Sequence, residues 1–239
     1  MLVRNDLTIY DRHADAWWDA TSPEFSSLHA VHRFRLVQLD EWVGPRLEGR
    51  EILDLGCGGG LLSEAIAERG GRVTGVDQSH PSLETATRHA AESGHANRYV
   101  RADVRQLPFG DRSFDGVLLA DVLEHVAPAH SCMAEAARVL KPGGWLYVNT
   151  INRTLRAKIV VERLAERWGY IPRGTHNADL FVAPVELKAM ARRGGLQLRK
   201  LQGETPQWRR LLRRREIELR PARSLAIAYS ALFEKTTPD

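Results

Sequence analysis

Ile52–Gly60 reads ILDLGCGGG, a short apolar run that breaks into closely spaced glycines. A run that short, bounded by glycine, predicts a buried strand rather than a helix, and the glycines predict a tight strand-to-helix turn. LLSEAIAERG follows as a helix stopped at Gly70, then RVTGVD as a second strand. PSLETATRHAAESG predicts a helix opened by Pro81 and closed by Gly94. Beyond it come NRYVRADV and SFDGVLLADV as strands, HSCMAEAARVLKPGG as a helix ended by its Pro-Gly-Gly, and WLYVNTI as a strand. Strands alternating with helices of this length give an α/β fold with a doubly wound, mostly parallel sheet.

Around that core, residues 1–49 hold aromatic-rich helical segments and predict an N-terminal helical cap. Leu28, Val31, Leu36, Leu39 and Val43 fall near helical spacing within it. The main domain then runs over 50–239, with residues 152–180 as an inserted helical lid and 181–239 as a helix plus strands. The chain has 239 residues, 43% hydrophobic and 27% charged, which suits one large globular core. MLVRNDLTIYDRH lacks the apolar stretch of a secretory signal, and no run approaches the roughly 18 apolar residues of a spanning helix. Cys57 and Cys132 are the only cysteines, too few for a disulfide framework or a cysteine zinc site, so a cytoplasmic setting is expected. The net charge of +4 is concentrated: residues 209–223 hold seven Arg against two Glu. Attraction to an anionic partner is therefore a local property.

The glycine loop carries the chemistry. Gly56, Gly58, Gly59 and Gly60 let a ligand approach the backbone, and Asp77 ends the second strand where a carboxylate can accept both hydroxyls of a ribose. A dinucleotide is the obvious rival, but Leu61 stands where its third glycine belongs. The carboxyl end of the sheet also carries Asp54, Asp77, Asp103 and Asp121, which would repel a pyrophosphate. S-adenosylmethionine has a ribose, no phosphate and a positive sulfur, and it suits this rim better.

DLGCGGG, then GVD, then ADVRQLPFGDRSFDGVL, then LKPGG resembles a Rossmann-like class I S-adenosylmethionine-dependent methyltransferase. The flanks are more specific. Trp17–Asp19, Leu28–His29 with Arg35 beyond, Asn149–Thr154 (NTINRT) and Gly174–Pro184 (GTHNADLFVAP) resemble the ubiquinone-biosynthesis O-methyltransferase family, whose members methylate catechol hydroxyls of polyprenylated quinone precursors. The resemblance implies that Gly56, Gly58 and Gly60 line the methionine part of the cofactor. It further implies that Asp77 holds the ribose, Asp103 the adenine amino group and Arg35 the methionine carboxylate, and that Ala120 contacts the cofactor through backbone.

DVLEHV, Asp121–Val126, sets two carboxylates and an imidazole at i, i+3 and i+4, which share one face if the segment is a helix. By the resemblance, Asp121, Glu124 and His125 stand where family members bind Mg2+, with Asp in place of the first Glu. Such an ion would lower the catechol pKa. A phenol with pKa near 10 needs either that help or a base, and His125, His29 and His176 are the candidates.

In TLRAKIVVERLAERW (154–168), Leu155, Ile159, Val160, Leu164 and Trp168 form one stripe. It reads either as the packing face of a lid or as an interfacial surface that meets the inner face of a membrane. The Arg-rich 209–223 would add attraction to anionic lipid. Nucleic acid is disfavoured, since Trp208 is the only aromatic near those charges. Trp17, Trp18 and Phe34 are candidates for an apolar pocket wall. The expected substrate is a small aromatic hydroxylated molecule, with the oligomeric state open. A methyltransferase of specialised metabolism and a non-catalytic S-adenosylmethionine-binding protein remain as alternatives.

Overall fold

A computed structural model describes residues 5–214 and 217–237. Its centre is an eight-stranded sheet built from β1 (Glu51–Leu55), β2 (Arg72–Asp77), β3 (Arg98–Arg101), β4 (Phe114–Ala120), β5 (Leu140–Ile151), β6 (Leu196–Pro206), β7 (Leu219–Ala222) and β8 (Ala228–Lys235). The order across the sheet is β3-β2-β1-β4-β5-β8-β6-β7. The first five strands are parallel, and β8 runs antiparallel to both β5 and β6. The strand order reverses between β1 and β4. Ligands of open α/β sheets bind in the crevice outside the carboxyl ends at such a point.

The helices are α1 (Thr8–Arg12), α2 (Ser26–Val43), α3 (Leu61–Ala67), α4 (His80–Glu92), α5 (Ala129–Val139), α6 (Leu155–Lys158), α7 (Pro184–Arg193) and α8 (Trp208–Arg214). α4 begins as its sequence dictates: the Ser79 hydroxyl accepts from the Ser82 N–H at 3.2 Å, and Pro81 occupies the first turn. Alternation along the central strands feeds two layers. Leu53, Leu55, Val117 and Leu119 pack on one face with Met133 and Ala136 of α5 and Leu187 of α7. Ile52, Leu118 and Tyr147 pack on the other with Leu39 of α2 and Ile66 of α3. No helix among the described residues is long and apolar enough to cross a membrane.

Three points left to the structure are decided here. LKPGG does not extend α5: the helix stops at Val139, and Leu140 already pairs with Phe114 as the start of β5. Proline cannot continue a helix interior, so the break comes before Pro142 rather than after it. DVLEHV is not a helix either. Asp121 adopts φ +54 as the chain leaves β4, and only Leu123–His125 makes a single 3-10 turn. The third concerns the stripe in 154–168. α6 runs into a π-helical turn over Ile159–Ala165, and the residues it buries are Ala157, Val161 and Glu162. Leu155, Ile159 and Trp168 face outward and are exposed. Of the basic segment, Arg215 and Glu216 lie outside the described residues; α8 and β7 frame them, and Gln207 N–H donates to Glu218 O at 2.8 Å between the two.

Candidate active site

The carboxyl ends of β1, β2 and β4 open into a cavity of about 630 Å³, roofed by α1, Trp17 and α2. Its floor is backbone. The N–H groups of Gly56 and Cys57 both donate to Val76 O, at 2.7 and 3.0 Å, which ties the bend after β1 to β2. Gly58 sits at φ +51, and a Cβ there would come within 2.5 Å of the Trp17 ring. No other residue fits both the conformation and the space.

Asp77 stands beside that bend. Its Oδ2 accepts from Gly58 N–H and its Oδ1 from Ser79 N–H, both at 2.9 Å, so the carboxylate is oriented while its outer lone pairs stay available. Burial raises its pKa, and the two N–H bonds offset part of that rise. Asp54 lies deeper, 3% exposed, and accepts from Ser63 Oγ at 2.7 Å; burial pushes it up to about 7. Asp103 is on the cavity wall but gripped by Arg105, whose Nε lies 3.0 and 3.1 Å from its two oxygens. That fork holds its pKa below the usual carboxylate range.

Arg35 projects from α2 into the same cavity and is buried. It pairs with Asp121, and a terminal nitrogen donates to Asn149 Oδ1 at 3.0 Å. Burial opposes its charge, but Asp121, Tyr147 and Glu204 hold it on. Its Nε is the one buried side-chain polar atom without a partner among the described residues. Arg35 lines the cavity, and a ligand carboxylate there would add an acceptor to this under-satisfied guanidinium. Behind Arg35 the network continues: Asn149 donates to Glu204 at 2.8 Å and to Ser230 at 3.0 Å. Ala120 ends β4 on the cavity wall.

The three residues of DVLEHV part company. Asp121 turns to Arg35. Glu124, 1% exposed, accepts from Thr150 Oγ1 at 2.6 Å, and burial together with Asp121 pushes its pKa up to about 8. His125 lines the cavity with Nδ1 turned 2.8 Å from Asn5 Oδ1. Among the described residues no three His, Cys, Asp or Glu are gathered as a metal site. As placed, these donors do not converge on a shared Mg2+: Asp121 turns to Arg35 and Glu124 to Thr150.

Burial, then His176, lowers the His125 pKa to about 3, so the imidazole is neutral. His176 lies behind it with ring centroids 5.1 Å apart, is itself buried, and has Nδ1 3.0 Å from Thr175 Oγ1. His29 is elsewhere: its Nε2 lies 2.8 Å from Trp17 O and pins the cap rather than lining the cavity. The proposed aromatic wall also divides. Trp17 roofs the cavity and donates to Ser82 Oγ at 2.9 Å. Trp18 stacks on His89 at 3.4 Å between centroids and donates to Gly59 O. Phe34 lines a separate groove on the far side of α2.

Sequence reasoning missed several groups. His32 and Tyr10 line the cavity, and burial lowers the His32 pKa to about 4. His32 sits one helical turn from Leu28 and Arg35, a face that was readable once Arg35 was singled out. Glu162 and Glu166 are buried and hold the GTH loop: Glu162 accepts from Ala178 N–H at 2.7 Å, and Glu166 from Gly174 and His176 N–H at 3.0 and 3.2 Å. Nothing local in the sequence marks them.

Residues 53–148 match the family model described as a methyltransferase domain. The chain is 38% identical over 200 residues to the ubiquinone biosynthesis O-methyltransferase of Nitrosospira multiformis, covering 83% of this chain and 82% of that one. It is 40% identical over 194 residues to the protein of the same name from Bordetella avium, covering 80% of each. Among solved structures it resembles the magnesium protoporphyrin IX methyltransferase of Synechocystis with bound S-adenosylhomocysteine, with a TM-score of 0.68 at 18% identity over 97% of this chain and 96% of that one.

Proposed function

Because the chain belongs to the ubiquinone biosynthesis O-methyltransferase family and uses S-adenosylmethionine, we propose that it methylates a phenolic hydroxyl on a catechol-type ring of a quinone precursor. One observation carries this reading. A single cavity joins a ribose-competent carboxylate, an orphaned guanidinium donor and a neutral imidazole.

In this reading Gly56–Gly60 cradle the methionine part, Asp77 takes the ribose hydroxyls, Arg35 takes the carboxylate, and Ala120 contributes backbone. Asp103 can reach the adenine amino group only with the acceptor capacity that Arg105 leaves it. The methyl carbon leaves sulfur, which keeps the bonding pair; the phenol oxygen supplies the new pair, and its proton goes to His125. The low basicity of His125 times that transfer. An oxygen that is being methylated becomes an oxonium, far more acidic than a phenol, so a weak base takes the proton as the C–O bond forms rather than beforehand. Alignment of oxygen, carbon and sulfur in the cavity supplies the larger share, on the order of 7–11 kcal/mol. No step is assigned to a metal.

The exposed Leu155, Ile159 and Trp168 support a further part of the proposal: the outer face of the lid touches the lipid that holds a prenylated substrate. The test is a panel of catechols with and without an isoprenoid chain, offered in anionic vesicles. Methylation of ring hydroxyls, favouring the chain-bearing member, is expected, and Leu155→Glu with Trp168→Glu should abolish only that preference. Binding of S-adenosylmethionine with no methylated product from any member overturns the reading.

A further inference from the structure

NTINRT begins at Asn149 inside β5, and the chemistry assigned so far makes no use of it. The sheet register sets Asn149 in a row that crosses four strands. Ala120 of β4 pairs with Asn149, Asn149 with Ser230 of β8, and Ser230 with Gln202 of β6. Residues paired in this way share one face of a sheet, and Tyr147 and Glu204, two positions along their strands, share it too. α2 lies over that face. Arg35 donates to Asn149 Oδ1 at 3.0 Å, Tyr147 donates to Gln38 Oε1 at 2.7 Å, and Gln38 donates to Gln202 Oε1 at 2.7 Å. The row therefore starts on the cavity wall, at Ala120, and passes beneath α2 to the antiparallel strands.

Within this row the Asn149 amide has one orientation. A guanidinium can only donate, so the amide oxygen must face Arg35. The nitrogen is thereby turned away from Arg35, and it donates to Glu204 Oε1 at 2.8 Å and to Ser230 Oγ at 3.0 Å. Reversing the amide would set N–H against N–H at Arg35 and oxygen against oxygen at Glu204. Asn149 and Glu204 are each 2% exposed and Ser230 is fully buried, so water is not at hand to repair such a mismatch. The other partner of Arg35 differs in kind. Asp121 is 27% exposed and stands at φ +54 in the turn after β4, whereas Asn149 is fixed in a strand paired on both sides. An amide oxygen also orients the guanidinium without neutralising it, which a carboxylate cannot do.

We propose that Asn149, its amide locked by Glu204 and Ser230, is a positioning residue that aims the Arg35 guanidinium at the carboxylate of the cofactor. The inference rests on the reading of Arg35 as the group that takes this carboxylate. Without Asn149, Arg35 is left to Asp121, which carries the same charge as the ligand group and competes with it for the guanidinium. The antiparallel strands β6 and β8 thereby take part in cofactor recognition, although none of their described residues lines the cavity.

The test compares two ligands by calorimetry on the full chain. S-adenosylhomocysteine carries the carboxylate; methylthioadenosine keeps the nucleoside and the sulfur but lacks the amino-acid end. Asn149→Ala should weaken S-adenosylhomocysteine about tenfold and leave methylthioadenosine within about twofold of wild type. Glu204→Leu should show the same selectivity with a loss of about threefold, and Glu204→Gln, which keeps an oxygen for the Asn149 N–H, should restore the affinity. Methylthioadenosine binding reports that a variant is folded, and the Glu204 pair carries the test if Asn149→Ala is not. Equal losses for the two ligands, or no loss for either in a folded variant, overturn the inference and reduce the row to a seat for α2. Arg35→Lys separates this outcome from failure of the reading beneath it. A loss selective for S-adenosylhomocysteine in Arg35→Lys but not in Asn149→Ala overturns the positioning role alone. Wild-type affinity in Arg35→Lys overturns Arg35 as the carboxylate holder, and the inference with it.

Discussion

On the floor of the cavity, from Leu55 to Asp77, nearly every polar contact is made by backbone. Gly56 and Cys57 hang on Val76 O, and the Asp77 carboxylate is set by the N–H groups of Gly58 and Ser79. The facing wall is made of side chains brought from far apart in sequence: Tyr10 from α1, His32 and Arg35 from α2, and His125 after β4, with Asn5 of the N-terminal segment behind His125. A backbone floor tolerates change in what lies around it, because its donors need no particular neighbour to stay aimed. A side-chain wall can be re-aimed by one substitution. The floor suits the part of the reaction that does not vary, and the wall suits the acceptor.

Breaking the wall without touching the floor should therefore separate turnover from cofactor affinity. His125→Ala is expected to lower kcat about 100-fold or more, while the calorimetric affinity for S-adenosylhomocysteine stays within about threefold of wild type. A parallel loss of affinity would mean that wall and floor are one unit. Arg35 sits on the seam between them. Arg35→Lys keeps the charge beside Asp121 but loses the planar fork, so KM for S-adenosylmethionine should rise about tenfold with kcat little changed. A fall in kcat at constant KM would move Arg35 to the acceptor side.

The smallest effect concerns the floor alone and is read in stability. Asp54 has a folded pKa of about 7 against an ordinary value near 3.9, so the folded chain holds a proton that the unfolded chain releases. The stability it contributes is complete below the unfolded value and is lost as pH rises through the folded one. Between those limits wild-type stability should fall relative to Asp54→Asn, with a slope approaching about 1.4 kcal/mol per pH unit in denaturant titrations of the ligand-free protein. Parallel curves for the two proteins would show that Asp54 is ionised throughout.

The same division decides what the sequence discloses. The β1–α3–β2 unit is legible because its constraints are local: a strand, a glycine bend and a carboxylate at the next strand end leave their mark at fixed spacing. The wall leaves almost none. The shared face of DVLEHV was conditional on a helix, and one residue at φ +54 and a single 3-10 turn send Asp121, Glu124 and His125 to three different partners instead. The stripe of the lid left packing face and outer surface both open, because apolar spacing records only that residues share a side, not which side is covered. The π-helical turn and the pairing of Asn5 with His125, 120 residues apart, have no signature in any short window. His29 shows the reverse error: a histidine in a suggestive motif that serves as a pin for the cap.

The central claim is that the cofactor's sugar is held by the one carboxylate that the backbone floor aims. Calorimetric titration of S-adenosylhomocysteine into wild type and Asp77→Ala tests it most directly. Loss of two hydrogen bonds to a charged acceptor should weaken binding about 100-fold or more, with the heat of binding reduced accordingly. Equal affinity for the two proteins, with both folded, would contradict the account.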